Sequence, residues 1–369
     1  MIAASLSAVW ATPAATGLQH DVVFTEYTPL AASSEMVRRL LSPLAAAEVQ
    51  GTLARSGSRL LEQGVDLAQE RFVLYVPGVV PPQGYGLLVF VPPWTDARLP
   101  AGWESVLDRY GMIYVSAARS GNAENVIGRR EPLALLAAYN LMQRYPVDAA
   151  HVYVGGFSGG SRIALRLALA YPDVFHGALL NAGSDPLGTG VPPLPPADLF
   201  RQFQESARLV LLTGEHDPAH LASDAESVAA LRRWCVFDVD TEVIPGAAHE
   251  VASPTALSGA LKQLLAPASP AAAKLGRCRA GIERELTPQL EKAQALLESG
   301  RLSEAQALLL EIDQRFGGLA APRTVELQMA LNCSSAQADE QKRARCQRGG
   351  GPAAAGSGPG ADPLQPLRR

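Results

Sequence analysis

The chain has 369 residues, 47% of them apolar, and a formal net charge of −4 from 32 basic and 36 acidic side chains. That length allows one large domain with an appendage, and the apolar share is ample for a sizeable core. No basic block of the kind that tracks nucleic acid occurs, and no run approaches the ~20 apolar residues that span a bilayer, so both nucleic-acid binding and a membrane span are set aside.

Residues 1–20 read as an export signal or as a frayed terminus. Met1 to Thr16 is mostly Ala, Ser, Leu, Val and Ile with small residues before Gly17, as in an apolar leader and its cleavage site, but no Lys or Arg precedes it. One helix is expected from Ser34 to about Val49. Strand-like and helix-like runs then alternate to residue 266. Arg71–Val76, Leu87–Val91 and Met112–Ala117 are β-branched or aromatic runs bounded by turn residues. A helix over Pro132–Arg144 follows, then a strand at His151–Gly155 and a helix over Gly159–Tyr171 stopped by Pro172. Gly177–Asn181, Arg208–Thr213 and Val236–Ile244 complete the strands, with helices over Ala222–Trp234 and Pro254–Leu265. This alternation predicts an α/β domain over residues 21–266, a mostly parallel sheet with helices on both faces. Ligands bind such sheets at the carboxyl ends of the strands.

Residues 267–281 read as a linker and 282–332 as a helical hairpin. Thr287-Pro288 has the chemistry of an N-cap followed by the first helical residue, and Leu290, Ala293, Leu296 and Leu297 form the apolar face. Ser303-x-x-Gln306 is a capping box that opens a second helix bearing Leu308, Leu309 and Ile312. A third short helix is expected over Arg323–Leu331. The first pair resembles one tetratricopeptide unit. A single unit cannot bury its own face, so it is expected to dock on the main domain or to contact a protein partner. Residues 333–369, rich in Gly, Pro and Ala beyond residue 349, are expected to be disordered.

The four cysteines are Cys235, Cys278, Cys333 and Cys346, none in a Cys-x-x-Cys pair, so no zinc cluster is expected. Two readings stay open: a disulfide among the last three in an exported protein, or free thiols with Cys235 packed as a small apolar residue.

The segment that carries chemistry is His151-Val-Tyr-Val-Gly-Gly-Phe-Ser-Gly-Gly-Ser161. Gly156-Phe157-Ser158-Gly159-Gly160 is a Gly-x-Ser-x-Gly nucleophile elbow, with a buried-strand run before it and an apolar helix after it. Such a turn exposes the serine hydroxyl, aims a helix N-terminus at it, and points the Gly159 N–H where an oxyanion would form. An acid and a histidine should follow in that order. Asp217 ends Leu209-Val-Leu-Leu-Thr-Gly-Glu-His-Asp217, and His249 ends Val243-Ile-Pro-Gly-Ala-Ala-His249; both lie just past a strand. Glu215 is the rival acid, and Asp217 is favoured because it lies further past the strand. His216 and His220 have a spacing that suits a metal, but no third ligand is evident in their Pro-containing loop, so neither a metal nor a cofactor is expected. A second oxyanion donor should follow the Leu87–Val91 strand. There Pro92 and Pro93 have no N–H, which leaves Trp94, Thr95 or a side chain. Phe157, Trp94 and Thr95 are the expected substrate contacts.

With these residues in place, the segment from about Arg71 to Leu265 resembles the α/β-hydrolase superfamily. Within it the segment is similar to the branch of poly(3-hydroxybutyrate) depolymerases, feruloyl esterases and predicted peptidases. Tyr145-Pro-Val-Asp148, Val154-Gly-Gly-Phe-Ser-Gly-Gly160, Tyr171-Pro-Asp173, Thr213-Gly-Glu-His-Asp217 and the Gly246–His249 turn carry the resemblance. It implies an exported enzyme acting on small or polymeric esters, with Ser158 as nucleophile, His249 as base and Asp217 as orienting acid. That branch usually carries His-Gly where this chain has Pro92-Pro93. A peptidase with the same triad and a catalytically weak binding protein on the same fold are the alternatives. Localisation is expected to be periplasmic or secreted if the leader is a signal, and cytoplasmic otherwise.

Overall fold

The computed structural model describes residues 15–267 and 271–335. The chain opens with strand β1 (Gly17–Val22) and helices α1 (Ser33–Leu40) and α2 (Pro43–Ser56). Strands β2 (Phe72–Val76) and β3 (Tyr85–Val91) follow, then α3 (Glu104–Tyr110), β4 (Met112–Ala117), α4 (Glu131–Arg144) and β5 (Val147–Phe157). Next come α5 (Gly159–Ala170), β6 (Gly177–Asn181), α6 (Ala197–Ser206), β7 (Arg208–Gly214), α7 (Pro218–Arg233), β8 (Val239–Ile244) and α8 (Pro254–Leu264). Helices α9 (Ala272–Glu298), α10 (Leu302–Phe316) and α11 (Arg323–Ser335) complete the described chain.

The eight strands form one sheet in the order β1-β2-β4-β3-β5-β6-β7-β8. Pairing is antiparallel for β1 with β2 and β2 with β4, and parallel from β4 through β8. This is the α/β-hydrolase fold. Its central strands are buried on both faces, so they read as continuous apolar runs rather than alternating ones. On β3, Leu87, Val89 and Val91 point into the core under α4 and α5, while Leu88 and Phe90 point into the second core under α3 and α8. The parallel strands point their carboxyl ends to one rim, where β3, β5, β7 and β8 each deliver a loop.

Several elements differ from the sequence expectation, each for a local reason. The single helix expected over Ser34–Val49 is two, because Pro43 forces Ser42 into an extended conformation (φ −67°, ψ 156°) and Ser42 then caps α2 through its hydroxyl. Strand β1 begins at Gly17, inside the stretch read as leader or frayed end. As a half-exposed edge strand it carries no apolar run to mark it. Helices α3 and α6 had no counterpart in the sequence reading.

The expected linker over 267–281 is largely helix, since α9 starts at Ala272 and runs straight through Pro288. A proline inside a helix removes one hydrogen bond and costs about 3 kcal/mol. Here Leu275, Leu286, Ala293 and Leu296, on both sides of the proline, are buried, which offsets that cost.

The C-terminal helices dock on the main domain rather than presenting their inner face. Leu296, Leu309, Ile312, Phe316, Leu327 and Leu331 belong to the same core as the sheet. Asp313 accepts hydrogen bonds from the Ser42 hydroxyl and the Leu44 N–H, and Phe316 packs edge-on against Trp234 at 5.8 Å. Cys235 is bonded to Cys278, so Cys278 pairs outside the last three cysteines and the free-thiol reading of these two is corrected. Cys235 is fully buried, as the packing reading anticipated, but as half of a bridge between the α7–β8 turn and α9. Cys333 is disulfide-bonded as well. Cys346 and the rest of the expected tail from residue 336 lie outside the described residues, as do residues 1–14 of the leader.

Candidate active site

The elbow is tight because two of its glycines touch backbone. A Cβ on Gly160 would fall on the Val91 carbonyl at the end of β3, and one on Gly156 would fall on the Gly160 peptide. Ser158 itself is held at φ 54°, ψ −123°, a conformation that non-glycine residues adopt only when the surroundings enforce it. The Ser158 N–H donates to the Asn181 carbonyl at 2.8 Å, and the helix it caps starts at the next residue. The hydroxyl therefore stands at the N-terminus of α5, where backbone N–H groups lack partners within the helix.

The acid and the histidine reach the same point from β7 and β8. Asp217 caps α7, with Pro218 next to it, and its carboxylate is 7% exposed. Asp217 Oδ2 accepts from His249 Nδ1 at 2.7 Å, and His249 Nε2 faces Ser158 Oγ at 3.0 Å. Burial works against the charge on Asp217, but hydrogen bonds from His220 and His249 outweigh it and hold the carboxyl below its usual range. The carboxylate is therefore ionised at neutral pH, and its bonds are lost only as pH falls below the ordinary value of 3.8. Glu215, the rival acid, instead accepts the Gly246 N–H at 2.9 Å and so shapes the turn that carries His249. Asn181 pins the whole arrangement. Its carbonyl takes the Ser158 N–H, and its buried side chain accepts from the Ala252 N–H at 2.7 Å, just beyond His249.

Two residues in the site were not singled out from sequence for this role. The first is His220. It lies on the first turn of α7, which starts at Pro218 rather than at the expected Ala222. Its Nδ1 donates to Asp217 Oδ1 at 2.8 Å, and its ring stacks on His249 with centroids 4.4 Å apart and planes within 18°. Asp217, His220 and His249 thus bring three metal-competent atoms within 4.8 Å of one another. The third ligand that the sequence reading did not find exists, without His216. As it stands, the group is a hydrogen-bonded triple, since both Nδ1 atoms are turned onto the carboxylate.

The second is Asn122, from the loop after β4. A Cβ on Gly159 would collide with the Asn122 carboxamide, which therefore occupies the space a side chain after Ser158 would take. That loop is fastened to the Pro92–Thr95 loop. The Asn122 N–H donates to the Pro93 carbonyl at 3.0 Å and the Arg119 N–H to the Thr95 carbonyl at 2.6 Å. Buried Arg130 spans both, donating to the Ser120 carbonyl at 2.8 Å and the Pro92 carbonyl at 2.9 Å. Burial pushes this guanidinium down to about 10, which still leaves it charged at neutral pH.

Of the expected substrate contacts, Phe157 and Trp94 lie in one aromatic line and Thr95 does not. Trp94 packs on Phe90 at 6.4 Å and on Phe157 at 6.1 Å, and Phe157 packs on the His249 ring at 4.9 Å. Arg98 lies over the Trp94 ring at 4.1 Å, and the indole N–H is buried without a partner. Thr95 is exposed. The site is open: His249 is 39% exposed.

Comparison with known proteins adds a limited likeness. No family model matches the chain. A poly(3-hydroxybutyrate) depolymerase of Ralstonia pickettii is 30% identical over 98 residues, which is 23% of this chain and 20% of that one. The chain thus matches about a fifth of that relative's length. Among solved structures, a ferulic acid esterase overlaps with a TM-score of 0.39 at 18% identity, covering 53% of this chain and 90% of that one. An S-formylglutathione hydrolase from Staphylococcus aureus overlaps at 0.40 and 12% identity, with coverage of 53% and 90%. The dipeptidyl peptidase 4 of Porphyromonas gingivalis overlaps at 0.39 and 15% identity, covering 53% of this chain and 32% of that one. At such overlap the activities of those proteins do not carry over.

Proposed function

We propose that this α/β-hydrolase-fold chain is a serine hydrolase that cleaves carboxylic esters through Ser158, His249 and Asp217. The observation that carries the reading is the unbroken line from Ser158 Oγ to His249 to Asp217, at 3.0 and 2.7 Å, assembled from three strand ends. The chemistry follows from the donors and acceptors. Ser158 Oγ attacks the ester carbonyl while His249 Nε2 takes its proton. The carbonyl oxygen becomes an oxyanion, received by the Gly159 N–H and by a second donor that we assign to the Trp94 N–H. On collapse His249 returns the proton to the departing alcohol. Water then attacks the acyl-enzyme through the same base, releasing the acid and restoring Ser158. Asp217 remains ionised throughout and fixes the imidazole with its proton on Nδ1. The rings of Trp94 and Phe157 form the wall along which the acyl group lies.

A fluorophosphonate probe tests the reading, because only an activated serine reacts. Stoichiometric labelling at Ser158, with hydrolysis of p-nitrophenyl esters absent from the Ser158→Ala protein, is the expected result. An intact chain that neither labels nor hydrolyses would instead favour a binding protein, a reading to which the prolines at 92 and 93 lend some weight. Anilide substrates cleaved in preference to esters would make it a peptidase.

We further propose that the protein works outside the reducing cytosol. No helix among the described residues is long and apolar enough to cross a membrane. Support comes from the Cys235–Cys278 bond, since such bonds persist mainly in oxidising compartments. Free thiols at both positions in protein isolated from its native host, trapped with an alkylating agent, would count against it.

A further inference from the structure

We propose that His220 is a positioning residue of the proposed hydrolytic centre: by donating to the second oxygen of Asp217, it locks the carboxylate that orients His249. The proposal rests on the reading of Ser158, His249 and Asp217 given above and adds a fourth member to it.

The geometry leaves little freedom. Asp217 has two carboxylate oxygens, and each accepts one imidazole Nδ1, His249 on Oδ2 at 2.7 Å and His220 on Oδ1 at 2.8 Å. The His220 backbone N–H also reaches Oδ1, at 3.4 Å. With donors on both sides, the carboxylate cannot turn about its own bond without breaking one of them. The two rings lie nearly parallel at 4.4 Å, so each limits the tilt of the other. Room for this second ring is built in. Gly183 sits beside it at φ +143°, and a Cβ there would press within 3.4 Å of the His220 ring and 3.3 Å of the Ser158 carbonyl. The His220 backbone is fixed by the first turn of α7, so the ring is carried by a helix rather than by a loop.

Sharing one carboxylate has an electrostatic consequence. During the reaction His249 becomes an imidazolium. A proton on the outer nitrogen of His220 would place a second positive ring against it, with only one carboxylate between them. The buried carboxyl of Asp224 also interacts with His220. Asp224, also on α7, is buried and bonded to the Ser184 and Thr213 hydroxyls. Arg162 from α5 also approaches the space beside Gly183, and its charge is paired with Asp185 of the segment after β6 at 3.4 Å. His249 reaches the stack from the loop after β8.

Two substitutions separate the donor from the charge. His220→Leu removes the donor and keeps bulk. His220→Asn keeps an N–H donor at the place of Nδ1 and takes no charge. The leucine variant should lose about 10- to 100-fold in kcat, the scale of one hydrogen bond to a charged group, with little change in KM. The asparagine variant should recover most of that loss. Proton NMR gives a readout free of activity. Two far-downfield imidazole N–H signals are expected in the wild type, one in the leucine variant and none in Asp217→Asn. If the wild type shows both signals but neither labels nor hydrolyses, the hydrolase reading fails and the bonding stands. A leucine variant with wild-type kcat, or an asparagine variant no better than leucine, would overturn the proposal.

Discussion

The two flanks of Ser158 are built on different plans. On the flank of His249 the polar groups bond to one another: His249 lies between Ser158 and Asp217, Asp217 also holds His220, and Glu215 and Asn181 tie down the turn that carries His249. On the opposite flank the loop after β3 and the loop after β4 are bonded to each other and pack beside the elbow glycines. The Trp94 indole N–H is buried without a partner, and the first N–H groups of α5 have none within the helix. Bonds among backbone groups and Arg130 fix the loops, not the donors. One flank is thus complete in the free protein, as suits groups that hold a proton. The other is rigid but unsatisfied, as suits groups that meet an oxyanion only in the transition state.

The largest expected effect tests the complete flank. Ser158→Ala, His249→Ala and Asp217→Asn should each lower kcat/KM for an ester by about 10⁴- to 10⁶-fold, because the three act as a unit. Thermal unfolding should stay near wild type, and asparagine at 217 keeps the cap of α7. If Asp217→Asn is harmless while Glu215→Gln is crippling, the hydrogen bonds of this flank do not describe the working acid.

How much of each flank the sequence revealed follows from the same difference. Ser158, Asp217 and His249 each sit just past a strand, and a strand followed by a glycine-bearing turn is legible in one dimension. The fold was legible for the same reason, since β3 to β7 are buried runs and the helices α4 and α5 between β4, β5 and β6 are apolar. Asn122 and His220 were not legible as site residues. Asn122 reaches Gly159 only because the β4 loop is bonded to the β3 loop, a contact between segments 28 residues or so apart. In one dimension His220 looks like part of a Pro-containing loop, yet Asp217-Pro218 is a helix start that puts it on the first turn of α7. The cysteine pairing and the continuation of α9 through Pro288 also depend on docking, which no local pattern encodes.

The next effect tests the open flank. Trp94→Pro removes the proposed backbone donor and should lower kcat by about 10²- to 10³-fold, the usual cost of one lost oxyanion donor. Trp94→Ala keeps that N–H and removes the ring that packs on Phe157, so it should raise KM and shift acyl-chain preference while kcat holds. Equal losses of kcat in both variants would mean that the indole, not the peptide, serves this flank.

A smaller effect probes the contact that joins the flanks. Gly159→Ala pushes a methyl group into the Asn122 carboxamide. Activity should fall about tenfold, and Asn122→Ala in the same chain should restore most of it, a coupling of about 1 kcal/mol in a double-mutant cycle. Additive effects would show that the β4 loop moves aside at no cost and that the open flank is softer than its bonds suggest.

The smallest effect on catalysis should come from the far side of the molecule, and it marks where both flanks end. Cys235–Cys278 closes a 43-residue separation between the α7–β8 turn and α9, just past the end of α7 opposite Asp217 and His220. Its contribution acts mainly by restricting the unfolded chain, on the order of 2–4 kcal/mol for a loop of this size. Cys278→Ser should therefore lower the denaturation midpoint while leaving kcat, KM and the fluorophosphonate labelling rate within about twofold, the range ordinary for substitutions away from the chemistry. The argument has a sharper form, because α7 runs from the bridge at one end to Asp217 and His220 at the other. If loosening the bridge end moved the cap end, kcat would fall with stability, and it would fall more for His220→Leu than for the wild type. If the helix is rigid, as its buried face of Asp224, Ser227, Val228 and Leu231 implies, the two measurements separate cleanly. A parallel fall in kcat and stability would mean that the complete flank is held from outside the site, through the appended helices.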